Sequence, residues 1–313
     1  MQCLIVDDVH PSLIQKLERV GLHVVYKPDF NLANEKALLK QIEILILRSK
    51  FQVDEDILSS MPDLTLIGRA GAGLDNIDLE AALKRDIDVV HAAEGNADAV
   101  GEHTIGLILG LMSKIASADR SVRSGIWDRE RFRGIELKGK TVGLLGYGNM
   151  GRAVSSRLNS FGCEVIAYDK YLVQWPDQNA VRVDLKTLME DSHILSLHVP
   201  LTDETQGMVG AEFLKKCRKG LFLINTSRGE IVPIGSIPDM LDDGSLSGVA
   251  LDVFEEEPPV KNINFISSKY ERLFGRDDVL LTPHVAGWSL ESYEKISAVL
   301  AIKIIDRISQ LTK

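Results

Sequence analysis

Short runs of apolar and β-branched residues alternate with helical patterns along the whole chain, and this alternation leaves few architectures open. Leu4-Ile-Val6, Leu22-His-Val-Val25, Ile44-Leu-Ile-Leu47 and Leu64-Thr-Leu-Ile67 read as strands, with helices near 11–20, 32–40, 54–60 and 78–84 between them. A second series follows at Thr141–Leu145, Glu164–Tyr168, His193–Leu197, Leu221–Ile224 and Gly248–Leu251. Strands joined through helices return parallel, and a parallel sheet needs helices on both faces. The expected class is α/β, with the four early strands in a small open unit and the later ones in a larger unit. At roughly 100–200 residues per domain, 313 residues suit two domains.

Two helical stretches stand outside the alternation. Residues 98–118 carry no strand character and read as a connecting helix belonging to neither sheet. Leu290 to Leu311 places Tyr293, Ile296, Leu300, Ile304, Ile305 and Ile308 at helical spacing, so one face is buried. Spacing does not say which domain receives it.

Charge and cysteine usage exclude several classes of partner. The chain has 36 basic and 45 acidic residues, a net charge of −9. A surface of that sign repels phosphate backbones and anionic lipid, so neither nucleic acid nor a membrane is an expected partner. Local basic pockets remain compatible with it. The longest uncharged apolar stretch, Thr104 to Ser113, is far short of the roughly 20 residues that span a bilayer. Cys3, Cys163 and Cys217 are isolated and odd in number, which argues against a disulfide framework or a thiolate zinc site and for a reducing compartment. The first residues turn acidic at Asp7-Asp8 and read as a strand rather than a signal peptide. The expected location is the cytoplasm.

The most specific local signal is Gly146-Tyr-Gly148-Asn-Met-Gly151. It follows a strand directly, opens a helical run through Phe161, and precedes a second strand that ends in Asp169. A GxGxxG alone is weak, because glycine-rich turns are common; with both flanking elements and the acid in place it reads as a dinucleotide site. Gly146 permits the tight turn, Gly148 lets backbone approach a pyrophosphate, and Gly151 lets helix pack on strand. The helix N-terminus presents free N–H groups and a partial positive charge. Asp169 suits ribose hydroxyls and repels a 2′-phosphate, which favours NAD over NADP, although the neighbouring Lys170 pulls the other way. The alternative is a structural turn without a ligand.

Three further residues sit just past strand ends, where parallel sheets place ligands. They are Arg228 in Asn225-Thr-Ser-Arg-Gly229, Glu257 in Asp252-Val-Phe-Glu-Glu-Glu257, and His284 after Val279-Leu-Leu-Thr-Pro283. A guanidinium can clasp a carboxylate and polarise a carbonyl, an imidazole can exchange a proton near neutral pH, and a carboxylate can orient that ring. Beside a dinucleotide the set suits hydride transfer between nicotinamide and a 2-hydroxy or 2-oxo acid. On spacing alone a loop histidine, a helix-capping arginine and a solvated or metal-binding acidic face are each the commoner reading. A metal is not expected, since no ligand motif supports one.

The ordered motifs resemble the D-isomer-specific 2-hydroxyacid dehydrogenase family over nearly the whole chain. They run from Arg69-Ala-Gly-Ala-Gly-Leu-Asp-Asn-Ile-Asp78 through Glu94-Gly-Asn96, Glu102-His-Thr104 and Leu137 to Gly146. Leu197 to Thr205, Asn225 to Gly229, Leu251-Asp-Val-Phe254 with Glu257-Pro258, and Thr282-Pro-His-Val-Ala-Gly287 complete the series. The resemblance implies His284 as acid/base, Glu257 as its partner and Arg228 as the carboxylate-binding, carbonyl-polarising residue. It implies NAD contacts at Gly146, Gly148, Asn149, Met150, Gly151, Asp169, His198, Pro200, Thr205, Thr226, Asp252 and Gly287, with Asp252 toward the carboxamide. Substrate contacts fall on Arg48, Ser49 and the backbone around Ala72-Gly73. It further implies two Rossmann-like or flavodoxin-like domains. Residues 1–95 and 286–313 would form a substrate domain into which the NAD domain, 96–285, is inserted, with reaction in a cleft that closes on substrate.

Within the family, Arg48-Ser49 resembles the pair that phosphoglycerate dehydrogenases place near the substrate's anionic end, and with Arg69 it suits a phosphate. A surface arginine at a strand end is the plain alternative. The chain ends after its last helix, so the regulatory domain of many phosphoglycerate dehydrogenases, and serine allostery through it, are not expected. Trp288 stands where smaller or polar residues are frequent in that branch, which points toward glyoxylate or hydroxypyruvate. Trp127 suits an interface anchor in a family expected to be homodimeric. Lys261 to Phe274 is longer than the usual connection and has no explanation in sequence. Nicotinamide-sensing corepressors share the architecture and form the non-enzymatic alternative.

Overall fold

The computed structural model describes residues 1–257 and 268–311, and it divides into two compact units, Met1–Ala97 with Trp288–Lys313, and Asp98–Gly287. All strands in both sheets are parallel.

The smaller unit holds β1 (Gln2–Ile5), β2 (His23–Tyr26), β3 (Ile44–Leu47), β4 (Leu66–Arg69) and β5 (Asp88–His91), in the order β2-β1-β3-β4-β5. Its central strand, Ile-Leu-Ile-Leu, is buried on both faces, as a parallel strand between two helical layers must be. The fifth strand corrects the expectation of four. Asp88-Val-Val-His91 has polar ends and is only half-buried throughout, so no apolar run marks it. The helix Pro11–Arg19 starts where the His10 ring accepts from the Ser12 amide and Pro11 presets the first turn. It buries Leu13 and Leu17, one turn apart.

The terminal helix Leu290–Leu311 completes this unit. Ile296, Leu300, Ala301 and Ile304 pack with Cys3, Ile5, Leu13, Leu17, Ile46 and Leu66 in one core layer. Two charged contacts fasten its outer side, Lys303 on Glu94 and Arg307 on Asp88.

The larger unit holds β6 (Thr141–Leu145), β7 (Glu164–Tyr168), β8 (Val181–Arg182), β9 (Ile194–Leu197), β10 (Leu221–Asn225), β11 (Leu246–Leu251) and β12 (Val279–Leu281). The order is β12-β11-β10-β9-β6-β7-β8, so the strand order reverses between β6 and β9. A doubly wound sheet opens its ligand crevice at such a reversal, beyond the carboxyl ends of the strands. The two-residue β8 and the three-residue β12 are too short to carry a period-2 signal of their own.

The stretch read as one connecting helix is two helices, Ala97–Met112 and Ile115–Arg123. Lys114 breaks them with φ +54°, and the Met112 carbonyl accepts from the Ile135 amide instead of continuing the helix. The first helix is no bystander: Ile105, Leu107, Ile108, Leu111 and Met112 pack with Val142, Leu144, Ile224 and Ala250 in the larger unit's core. Of the long connection Lys261–Phe274, residues 261–267 lie outside the described part. Ser268–Leu273 forms a short 3-10 turn that buries Tyr270 and Leu273.

Leu300 is fully buried, so Leu300→Ala is expected to cost about 2–5 kcal/mol through lost transfer energy and a residual cavity. A loss of that size in the unfolding free energy from urea titration checks the terminal helix as part of the smaller unit's core; a change below about 0.5 kcal/mol would contradict it.

Candidate active site

The glycine turn contains two kinds of glycine. A Cβ on Gly146, whose φ is +95°, would lie 2.6 Å from the His198 carbonyl oxygen, and one on Gly151 would lie 2.3 Å from the Gly146 oxygen. Those two are required by the packing of the chain itself. A Cβ on Gly148 would meet nothing within 4 Å. The fold has no need of glycine there, so its bare backbone leaves the turn open to something outside the protein. Gly148 also begins the helix Asn149–Leu158 without a side-chain cap, with Asn149 exposed and Met150 half-buried in the first turn. Amides and dipole therefore face the open side, where the phosphates of a dinucleotide fit.

Asp169 closes the turn at the end of β7. Its Oδ2 accepts from the Tyr147 amide at 2.8 Å, and Oδ1 accepts from the Tyr171 and Leu172 amides at 3.0 Å each. A carboxylate has about four acceptor sites, so capacity for a ribose hydroxyl remains. Below the turn the Tyr147 ring stacks on Trp175 at 4.5 Å, and its hydroxyl donates to Asp177 at 2.7 Å. Burial first, then Asp177, pushes that phenol up to about 12, so it stays protonated.

Across the strand reversal, His198 follows β9. Its Nε2 lies 2.9 Å from the Ser196 hydroxyl, and burial pushes the imidazole down to about 4, so it is neutral near pH 7. The Thr205 hydroxyl donates to the Pro200 carbonyl at 2.6 Å and accepts from the Thr202 amide at 2.8 Å, which closes the loop after β9 on itself.

Arg228 and the acid–imidazole pair come from neighbouring strand ends. At the end of β10, the buried Asn225 donates to the Arg228 carbonyl at 2.8 Å and accepts from the Ser227 amide at 3.0 Å, so it fixes the loop that carries Thr226 and Arg228. The Thr226 hydroxyl lies 3.2 Å from that of Thr104, and one Arg228 nitrogen donates to the Ser227 carbonyl at 2.7 Å. A Cβ on Gly229 would lie 1.9 Å from the Phe254 carbonyl carbon, so this loop lies directly on the one leading to Glu257. There Glu257 Oε2 meets His284 Nδ1 at 2.7 Å, while Oε1 accepts from the Phe254 amide at 3.2 Å. With Nδ1 committed, Nε2 is the nitrogen left for proton exchange. The acidic run is thus divided among tasks, since Glu255 pairs with Lys269 at 2.7 Å and takes the Ile234 amide at 3.2 Å.

His284 has φ +54°, a left-handed conformation that costs a non-glycine residue about 1–3 kcal/mol. Asp252 holds it there. Its backbone carbonyl accepts from the His284 amide at 2.7 Å. Its Oδ1 takes the Thr282 hydroxyl at 2.6 Å and the Val285 amide at 2.9 Å, and Oδ2 takes the Ala286 amide at 2.8 Å. His103, from the helix Ala97–Met112, stands 3.5 Å from Oδ1 and 3.2 Å from the Thr282 hydroxyl. Because Thr282 donates to the carboxylate, it accepts from His103, which fixes the proton on Nε2. Burial alone would raise the Asp252 carboxyl; the His103, Thr282, Val285 and Ala286 donors outweigh it and hold it below its ordinary value. The resemblance pointed Asp252 toward a carboxamide. In the structure its oxygens are engaged by the chain's own donors, with half-buried Gly287 next in line. His103 and Thr282 had no individual role in sequence, because they meet Asp252 only through the sheet.

In the smaller unit, Arg48 and Ser49 follow β3, beside the reversal between β1 and β3. Asp7 accepts from the Arg48 amide at 2.6 Å and the Lys50 amide at 3.1 Å, which shapes that loop. The Arg48 guanidinium lies 4.2 Å over the Trp288 ring. Burial pushes it below its ordinary value against the pull of Asp7 and Asp8, and an arginine stays charged nonetheless. Ala72 and Gly73 are half-buried in the loop after β4, where the Arg69 guanidinium occupies the space that a Gly71 Cβ would take.

Asp252→Asn replaces an acceptor by a group that must also donate, so the Val285 or Ala286 amide loses its partner at about 1–3 kcal/mol. Their hydrogen exchange is expected to quicken by about 5–150-fold, and unchanged exchange would show that other contacts hold the loop. Because the folded carboxyl titrates below its unfolded value of about 3.9, its contribution is full above that pH and is lost as pH falls through the lower folded value.

Residues 105–286, more than half of the chain, match the family described as D-isomer specific 2-hydroxyacid dehydrogenase, NAD binding domain. The chain is 35% identical over 308 residues to a D-3-phosphoglycerate dehydrogenase of Archaeoglobus fulgidus, covering 98% of this chain and 57% of that one. A hydroxypyruvate reductase of Thermotoga maritima is 35% identical over 271 residues, 87% of this chain and 86% of its own. Among solved structures, a D-lactate dehydrogenase from Aquifex aeolicus complexed with NAD and lactic acid aligns with TM-score 0.84 and 27% identity, covering 99% of this chain and 96% of that one. The chain spans only a little over half the length of the phosphoglycerate dehydrogenases it matches. Its two parallel sheets, its glycine turn and these likenesses together place it: the chain belongs to the D-isomer specific 2-hydroxyacid dehydrogenase family and carries that family's NAD-binding domain.

Proposed function

We propose that the protein interconverts a D-2-hydroxy acid and its 2-oxo acid with NAD(H), and that the hydroxy acid is 3-phosphoglycerate. The observation that carries the reaction class is the 2.7 Å contact between Glu257 and His284, on the sheet whose β6 end carries the open glycine turn. The likeness to phosphoglycerate dehydrogenases over 98% of the chain and the Arg48-Ser49 pair support the substrate.

The nicotinamide, when bound, supplies or takes the hydride at C2. Arg228 clasps the substrate carboxylate and draws electron density toward the carbonyl oxygen. In reduction, His284 Nε2–H gives its proton to that oxygen as the C=O π bond is lost; in oxidation the neutral ring takes it back. Glu257 holds the ring through Nδ1, so the same nitrogen faces the acid in both directions. Arg48, Ser49 and the Ala72–Gly73 backbone are the smaller unit's substrate contacts in this reading.

A second reading has its own observation. Arg48 is stacked on Trp288 beside Asp7 and Asp8, so part of its charge is already offset. That favours a small acid such as hydroxypyruvate or glyoxylate, in keeping with the hydroxypyruvate reductase relative. A nicotinamide-sensing corepressor would show no turnover at all.

A screen of kcat/KM over 3-phosphoglycerate, glycerate, lactate, glyoxylate and hydroxypyruvate separates these readings, with 3-phosphoglycerate expected to lead. His284→Ala is expected to lower kcat/KM by about 10²–10⁴-fold while NADH still binds. Near-full activity in that variant would remove the acid/base role.

We also propose a homodimer. Trp127 is 79% exposed, and Ile115, Val122 and Ile126 of the same stretch are exposed as well, an apolar set that a monomer has no use for. Trp127→Glu is expected to shift sedimentation from dimer to monomer; a wild-type monomer at micromolar concentration would overturn this.

A further inference from the structure

Lys170 sits one residue past Asp169, at the strand end where a dinucleotide fold reads the adenosine ribose. A free ammonium at that place would invite a 2′-phosphate. It is not free. Its Nζ donates to both oxygens of Glu204, at 2.8 and 2.7 Å, and the Tyr171 hydroxyl donates to Glu204 Oε2 at 2.6 Å.

Glu204 comes from another part of the chain, the loop after β9, 34 residues on. That loop is closed by the Thr205 hydroxyl, so the carboxylate is presented from a fixed turn. Asp169 is fixed in the same way by three backbone amides. Lys170 also lies 5.3 Å from the Tyr171 ring, which further confines it. The hydrogen bond raises the lysine and lowers the glutamate from their ordinary values, so both are ionised throughout the neutral range.

We propose that Glu204 is a specificity-determining residue: by tying down Lys170 it leaves the ribose end of the site net negative, and so makes the site refuse NADP(H). The formal charges are −1 for Asp169, −1 for Glu204 and +1 for Lys170, a sum of −1. A 2′-phosphate brings about two further negative charges to this group, whereas a ribose hydroxyl brings none. Without Glu204 the sum is zero and the ammonium can pair with the phosphate. The proposal rests on the NAD reading of the glycine turn and deepens it from one carboxylate to a three-residue device.

The test is direct binding of NADH and NADPH to the full chain, followed by nicotinamide fluorescence, so it needs no turnover. In Glu204→Gln the ratio Kd(NADPH)/Kd(NADH) is expected to fall about tenfold. In Glu204→Gln with Lys170→Met that gain is expected to vanish, because the pair acts as a unit. Glu212→Gln, which removes a surface glutamate paired with Lys215, controls for net charge and is expected to leave the ratio alone. An unchanged ratio in Glu204→Gln, a gain that survives Lys170→Met, or an equal gain in Glu212→Gln would each overturn the proposal. A wild-type protein that binds neither dinucleotide would overturn the NAD reading as well, which sets that failure apart from the others.

Discussion

A carboxylate with no exposure to water is tolerable only if the chain surrounds it with donors, and Asp252 is in that position. It stands at the end of β11, and all the donors it collects come from outside that strand. Thr282, Val285 and Ala286 belong to the loop after β12, and His103 belongs to a helix packed on the sheet. The requirement works in both directions. The loop pays the conformational cost of a left-handed His284 because the buried charge cannot do without its amides, and the imidazole is thereby delivered to Glu257. Replacing the network by apolar side chains could keep the fold but would release the histidine.

The same logic of buried polar groups recurs one strand over. Asn225 is also sealed from water and spends its amide on the Arg228 carbonyl and its oxygen on Ser227. Two adjacent strands therefore each end in a buried polar side chain that folds a loop, Asn225 the one that follows it and Asp252 the one after β12, and each of those loops carries a residue of the proposed chemistry. The rigid sheet supplies position, and the polar plugs convert it into orientation. Gly229 lets the loop after β10 lie on the loop after β11 that leads to Glu257, which no side chain at that position would permit.

How much of this was legible in the sequence follows from the range of the interactions. The glycine turn is local: strand, turn, helix and acid lie within one βαβ unit, so motif and context could be checked together. The apolar strands were readable wherever the sheet buries both faces, as in β3 and β10. Asp88–His91 escaped because it is half-buried and polar at its ends, and residues 98–118 looked continuous because the break at Lys114 is imposed by a segment returning at Ile135. Arg228, Glu257 and His284 were visible only as suitable residue types past strand ends. The contact between Glu257 and His284 spans 27 residues and is created by the order of the strands, as is the one between Lys170 and Glu204. The stacking of Arg48 on Trp288 joins positions 240 apart in the chain, and no pattern in either segment announces it.

Net charge was the least informative reading, and the structure shows why. At physiological salt the charge of a surface is felt over about 8 Å, so a ligand meets its immediate neighbours and not the sum of −9. Those neighbours are specific. The helix beginning at Asn149 offers amides with no side-chain cap, Arg228 is held at a strand end, and Lys170 is neutralised by Glu204. Attraction for the phosphates of a dinucleotide comes from backbone dipoles, which carry no net charge and so do not appear in a count of side chains. Repulsion of one phosphate more comes from pairing a cation that the sequence displays openly next to Asp169. An acidic chain can thus hold an anionic cofactor and still discriminate among anions, because what matters is which charges the fold leaves unspent.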